Sequence, residues 1–269
     1  MQRHLRQPRT DWRARVSEVG LTYHSHDEGP YWDESACYEL TRVEVEKLEC
    51  AGNTLHRLCF DAAQAVIDNA WWPRLGIPER AVPSILRSWE RDDFSVYGRF
   101  DIAFVPGEEP KLLEYNADTP TALVEASVAQ WFWLQDVLPD EDQFNSIHER
   151  LIEAWRRFSN SIGGKSSKNP HPSIHFSSIK EHPEDEQTVL YLRDTCEQAG
   201  VATRHVFVED IGWDERQRCF VDLDLQRIER CFKLYPWEWM WHEDFAPQLA
   251  VGSTQFLEPT WKMLLSNKG

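Results

Sequence analysis

Two runs of strand-forming residues, Ser95–Val105 and Lys111–Asn116, stand on either side of Pro106-Gly107-Glu108-Glu109-Pro110. Such runs joined by a Pro/Gly-rich turn predict a β-hairpin. Side chains on a strand alternate between faces, so Phe100, Ile102 and Phe104 share one face while Arg99 and Asp101 share the other. On the second strand Glu114 and Asn116 lie on one face. One register sets Asp101 opposite Glu114 and Arg99 opposite Asn116. A second sets Asp101 opposite Asn116, and a slip by one residue puts the polar pairs on opposite faces. Directly opposed side chains have Cβ atoms about 4.5–5.5 Å apart. Two carboxylates at that separation repel unless a cation lies between them. Carboxylate and amide oxygens are what Mg²⁺ takes alongside nucleotide phosphates, and an adjacent arginine suits a phosphoryl oxygen. The same spacing also describes an ordinary Arg–Asp–Glu salt-bridge cluster on a solvated hairpin face.

Around the hairpin the pattern is mixed. Residues 1–33 show no clear period and read as loops with short elements. Thr41-Arg42-Val43-Glu44 forms a capping box, and Val45, Leu48, Gly52, Leu55, Cys59, Ala62 and Val66 follow at steps of three and four. This predicts an amphipathic helix to about Ala70. Thr119-Pro120 reads as an N-cap with proline at the first helical position, opening a helix to about Leu138. A third helix is expected over Ser146–Phe158. Beyond the polar, glycine- and proline-rich stretch Gly163–Pro172, a strand (Ser173–Ser178), a helix (Asp185–Ala199) and strands at Val201–Val208 and Ile228–Leu234 alternate. That alternation argues for a parallel or mixed α/β sheet. The chain is thereby divided into residues 1–160, a linker at 161–172 and a second α/β unit at 173–269.

The 269 residues carry a formal net charge of −16. Such a field repels nucleic acid and anionic lipid and favours a cationic small molecule such as a polyamine. No stretch is apolar and long enough to span a bilayer. The 6 cysteines contain no C-x-x-C pair, so neither a zinc site nor a disulfide framework is expected, and the expected location is the cytoplasm. The 13 tryptophans read first as core packing. His24-Ser25-His26-Asp27-Glu28 reads as an exposed loop rather than a metal cluster, and Cys37 and Cys59 as structural thiols.

Arg99-Phe100-Asp101, a short gap, then Glu114-Tyr115-Asn116-Ala117-Asp118 resembles the signature of glutathionylspermidine synthases and their stand-alone relatives without an amidase domain. Ser88-Trp89, Leu234-Tyr235-Pro236-Trp237-Glu238, Leu257-Glu258-Pro259 with Trp261, and Asn267-Lys268 extend the resemblance in order over nearly the whole chain. The resemblance implies an α/β fold of pre-ATP-grasp and partial ATP-grasp architecture, with mixed sheets and flanking helices. It also implies an ATP-dependent ligase that joins a peptide or amino-acid carboxylate, such as glutathione, to a primary amine, such as a polyamine, through an acyl phosphate.

By the same resemblance Asp101, Glu114 and Asn116 bind Mg²⁺. Arg99, Phe100 and Lys268 join them in holding ATP, and Arg99 touches the transferring phosphoryl group. Thr119 and Thr121 match substrate-contacting serines of the synthases. Glu184-Asp185 matches an acidic pair that meets the substrates, in a loop written differently here. The family continues past the Asn-Lys block with a second lysine, a glycine-containing phosphate loop and a late arginine. The chain ends at Gly269, so the resemblance implies a C-terminally truncated member. Two other readings stand beside it: a non-catalytic relative that binds peptide or polyamine, and a metal-dependent hydrolase, for which the hairpin lacks histidine ligands.

Overall fold

The computed structural model describes residues 1–163 and 173–267. In the first segment β1 (Gln2–Leu5) pairs antiparallel with β4 (Ala36–Glu39). Between them lie α1 (Trp12–Glu18) and a small hairpin of β2 (Ser25–His26) and β3 (Gly29–Pro30). The long helix α2 (Arg42–Asp68) begins as its capping box requires: Glu44 N–H donates to Thr41 Oγ1, and Thr41 N–H donates to Glu44 Oε2 at 2.8 Å. A shorter helix, α3 (Val82–Glu90), follows with proline in its first turn.

The hairpin forms from β5 (Arg99–Ala103) and β6 (Lys111–Asn116), in the register that sets Arg99 opposite Asn116 and Asp101 opposite Glu114. A bulge between Asp101 and Ile102 shifts the remainder of the ladder. The helix expected to open at Thr119-Pro120 does not start there. Ala122 takes a left-handed φ of 61°, and helical structure begins at Leu123, passes through a π-helical turn at Glu125–Ala129 and continues as α4 (Gln130–Val137). The physical reason is that the carbonyls needed for a first turn serve the hairpin instead. Tyr97 Oη donates to Pro120 O at 2.6 Å, and Arg99 Nη1 donates to Thr121 O at 3.0 Å.

Helix α5 (Ile147–Gly163) runs further than expected, so residues 161–163 are helical rather than linker. Residues 164–172, the rest of the expected linker, lie outside the described residues. Beyond them come β7 (Ser173–Ser177), α6 (Pro183–Gln198), β8 (Ala202–His205), the β9–β10 hairpin (Gly212–Asp214 and Cys219–Val221) and β11 (Arg230–Lys233). Then follow α7 (Trp237–Met240), α8 (Ala246–Val251), β12 (Gln255–Leu257) and α9 (Met263–Ser266). Strands β12, β11, β7 and β8 pair in that order into a parallel sheet, as the alternation of strand and helix predicts.

The cores do not respect the linker. One apolar cluster joins Leu123, Leu151, Trp155 and Phe158 to Ile174, Phe176, Leu192 and Phe232. A second joins Ala63 and Ile85 to Trp237, Trp241 and Trp261. Trp155, Trp237, Trp241 and Trp261 are buried in these cores, whereas Trp71, Trp131 and Trp239 are exposed, so packing accounts for only part of the indoles. Among the described residues no disulfide forms, and Cys196, Cys219 and Cys231 are buried thiols. No helix there is long and apolar enough to cross a membrane.

Candidate active site

The hairpin register brings four of the expected residues onto one face. Arg99 Nε donates to Asp101 Oδ1 at 2.8 Å and its Nη2 to Oδ2 at 3.2 Å, a two-point clamp. The same guanidinium lies 4.0 Å from Glu114 Oε1, and Asn116 Nδ2 donates to that oxygen at 2.7 Å. Arg99, Asp101 and Glu114 side chains are each about a third exposed, open to a ligand without being loose in solvent. The hydrogen bond to Asp101 is the first cause holding Arg99 above the usual guanidinium range. Phe100 is the exception: it stands on the opposite face against Tyr115, ring centroids 4.2 Å apart. Its side chain faces away from the carboxylates and could serve a ligand there only through its backbone.

The donor set of Asp101, Glu114 and Asn116 is all oxygen once the Asn116 amide presents its carbonyl, and that set suits a hard divalent cation. Among the described residues no three His, Cys, Asp or Glu side chains converge as a metal cluster. A cation would therefore rest on two carboxylates, one amide and the oxygens of its own ligand.

Thr121 joins the group directly, through Arg99 Nη1 to its carbonyl and, at 3.4 Å, to its Oγ1. Thr119 lines a cavity of about 150 Å³ with Asn116, Glu238 and Trp239. Glu184 and Asp185 sit in the first turn of α6, where His182 caps the helix. Burial pushes the Asp185 carboxyl above its usual range, opposed by His182 and helped by Glu184. Lys268 lies outside the described residues. Its neighbour Asn267 donates to Leu75 O at 2.5 Å and Glu238 Oε1 at 3.0 Å.

Several buried charged groups to which the sequence reading gives no role support the hairpin or its neighbours. Glu125 is 7% exposed and its Oε1 accepts from Tyr31 at 2.6 Å and Tyr23 at 3.1 Å. Burial chiefly, then Glu125, raises the Tyr31 hydroxyl; Glu184 adds to the rise and Arg99 opposes it. Asp118 is also buried, at 3% exposure, and accepts from Lys233 Nζ at 2.6 Å and Trp237 N–H at 2.7 Å. That contact ties the end of β6 to the carboxyl end of β11. A further buried pair, Glu258 and Lys262 at 2.8 Å, holds the chain entering β5, because Glu258 accepts from Val96 and Tyr97 N–H and Lys262 donates to Tyr97 O. A lysine inside Cys231-Phe232-Lys233-Leu234 and a glutamate inside Leu123-Val124-Glu125-Ala126 were the available signals.

Residues 3–269 match the family model described as glutathionylspermidine synthase preATP-grasp. The chain belongs to the glutathionylspermidine synthase family. It is 40% identical over 266 residues to a Haemophilus influenzae protein bearing the name "Putative acid–amine ligase", covering 97% of this chain and 66% of that one. It is 25% identical over 245 residues to the trypanothione synthetase of Crithidia fasciculata, covering 81% of this chain and 36% of the relative. Among solved structures, a glutathione synthetase-like effector of Globodera pallida superposes with a TM-score of 0.52 at 13% identity, over 96% of this chain and 62% of that one. The effector speaks for the fold alone. The chain spans about two thirds or less of the length of each of these proteins.

Proposed function

We propose that this glutathionylspermidine synthase-family chain carries the Mg²⁺–ATP face of a ligase that joins a peptide or amino-acid carboxylate to a primary amine. The observation that carries the reading is the register of β5 on β6, with Asp101 opposite Glu114, Asn116 beside Glu114 and Arg99 clamped between Asp101 and Thr121. Asp101, Glu114 and Asn116 would hold Mg²⁺, which bound with ATP supplies charge neutralisation for transfer of a phosphoryl group to the acid. Arg99 would donate to a phosphoryl oxygen and offset its negative charge, the role a forked guanidinium performs best. Its hold on the Thr121 carbonyl fixes the segment that would carry the acid substrate, with Thr119 beyond it. Glu184 and Asp185, in a chain of formal charge −16, favour an amine that arrives as a cation; the amine must then lose a proton to attack an acyl phosphate. Glutathione and a polyamine are the substrate pair this reading names.

The test is release of ADP by the chain with Mg²⁺, ATP, glutathione and spermidine. ADP that needs both co-substrates supports the ligase. Nucleotide binding without turnover supports the non-catalytic relative, and ADP release indifferent to the amine contradicts amide formation.

A further inference from the structure

A cavity of about 840 Å³, flanked by α3, the end of α5 and the edge strand β12, is lined by none of Arg99, Asp101, Glu114 and Asn116, although Trp237 borders both it and the small cavity beside Asn116. Its volume is that of an ordinary small-molecule site. Arg230 and Gln255, which open β11 and β12, line it. Lys233, which closes β11, is the residue that bonds Asp118 beside the hairpin site. The cavity therefore addresses the amino ends of these strands, while the candidate active site is tied to a carboxyl end.

Its wall combines aromatic surface with an excess of donors. Phe94, Phe158, Phe256 and Trp241 supply the apolar part. Among the described residues, three atoms of its lining are buried and make no hydrogen bond: Ser88 Oγ, Trp241 Nε1 and Arg230 Nε. Ser88 is 2% exposed and Trp241 1%, and buried polar groups left in this state are uncommon enough to require a reason. Three arginines face the cavity in a strongly acidic chain. Arg91 is neutralised by Asp93 at 2.7 Å, and Asp92 also lines the wall. Among the described residues Arg87 donates only to Ser84 Oγ at 3.1 Å, and Arg230 reaches Glu229 by Nη1 alone, at 3.4 Å. Two guanidiniums, an indole N–H and a hydroxyl thus surround aromatic surface, and none of the unpartnered atoms is a carboxylate oxygen.

We infer that this cavity is a second binding site, separate from the hairpin face, for a small organic anion: a carboxylate, phosphate or sulfonate carried on an apolar body. The anion meets Arg230 and Arg87, and the body lies on Phe94, Phe158 and Phe256. The purified chain is titrated with the fluorescent anion 8-anilinonaphthalene-1-sulfonate and, separately, with its uncharged relative N-phenyl-1-naphthylamine. The inference expects one bound sulfonate per chain, displaced by phenyl phosphate, and at least about fivefold weaker binding of the uncharged probe. Arg230→Gln should weaken the sulfonate by a similar factor, and Ser253→Trp, placed at the exposed rim, should block it, whereas Asp101→Asn should leave it unchanged. Should Arg230→Gln fail to fold, the Ser253→Trp and uncharged-probe arms decide. Equal binding of both probes, binding indifferent to Ser253→Trp, or no sulfonate bound at all would overturn it.

Discussion

Arg99 has a structural contact and a proposed ligand contact whose energetic weights differ. Its clamp on Asp101 is about a third exposed, so water and salt screen it, and such pairs contribute about 0.2–1 kcal/mol. Arg99→Ala should therefore cost folding stability no more than about 1 kcal/mol in urea denaturation. Without the guanidinium, Asp101 and Glu114 face one another with less compensating charge, and a phosphate loses its forked donor. Affinity for Mg²⁺–ATP should fall on the order of tenfold or more, and Arg99→Lys should recover little, because an ammonium cannot span both Asp101 oxygens. Calorimetry on the two variants measures this directly. Whether these residues could meet was readable from strand alternation. Which register they adopt was not, because the bulge after Asp101 has no mark in the sequence. Glu125, Tyr23 and Tyr31 escaped notice for a related reason: their partners lie 94 and 102 positions apart along the chain.

At the scale of elements, local signals worked wherever both partners are near in sequence. The capping box of α2 is the clearest case, since Thr41 and Glu44 need nothing but each other. Thr119-Pro120 is the opposite case, a sound local signal overridden by hydrogen bonds to Tyr97 and Arg99. The hairpin itself depends on a close approach at Gly98. A Cβ there would lie 2.7 Å from Cε2 and 2.8 Å from the hydroxyl oxygen of Tyr115. Gly98→Ala must push that ring off Phe100, so it should destabilise by about 1–3 kcal/mol, as overpacking does, and weaken Mg²⁺–ATP with it. Urea denaturation and calorimetry of the one variant check both.

The parallel sheet makes a separate prediction through His175 on β7 and His205 on β8. Burial lowers both imidazole pKa values; for His175 the bond to Asp222 opposes the effect. A histidine lowered on folding binds its proton first in the unfolded chain. Its stabilisation is therefore full above about pH 6.5 and is lost as pH falls through that value toward the folded one. Thermal midpoints should drop between about pH 7 and 5. His175→Gln should make that drop shallower.

Across the whole molecule, the expected division at the linker describes the order of elements better than their packing. Residues on both sides fill one apolar core, and the Asp118–Lys233 pair crosses the same divide. No periodicity reveals a contact between positions 115 apart; only the presence of a lysine in an apolar strand hints at it. Lys233 is 2% exposed, and burial lowers its pKa against the pull of Asp118. Lys233→Met would leave the Asp118 carboxylate buried beside only the Trp237 N–H, a loss of about 3–5 kcal/mol. Lys233→Met with Asp118→Asn should recover part of it, which a double-mutant cycle in urea resolves.

One face of the β5–β6 hairpin is proposed to hold a magnesium-bound nucleotide. Titration of the chain with ATP in a calorimeter, with Mg²⁺ and then with EDTA, tests it most directly when repeated on Asp101→Asn. Binding should require Mg²⁺ and weaken on the order of tenfold or more in Asp101→Asn. Binding of equal strength with and without Mg²⁺, or unchanged in Asp101→Asn, would contradict it.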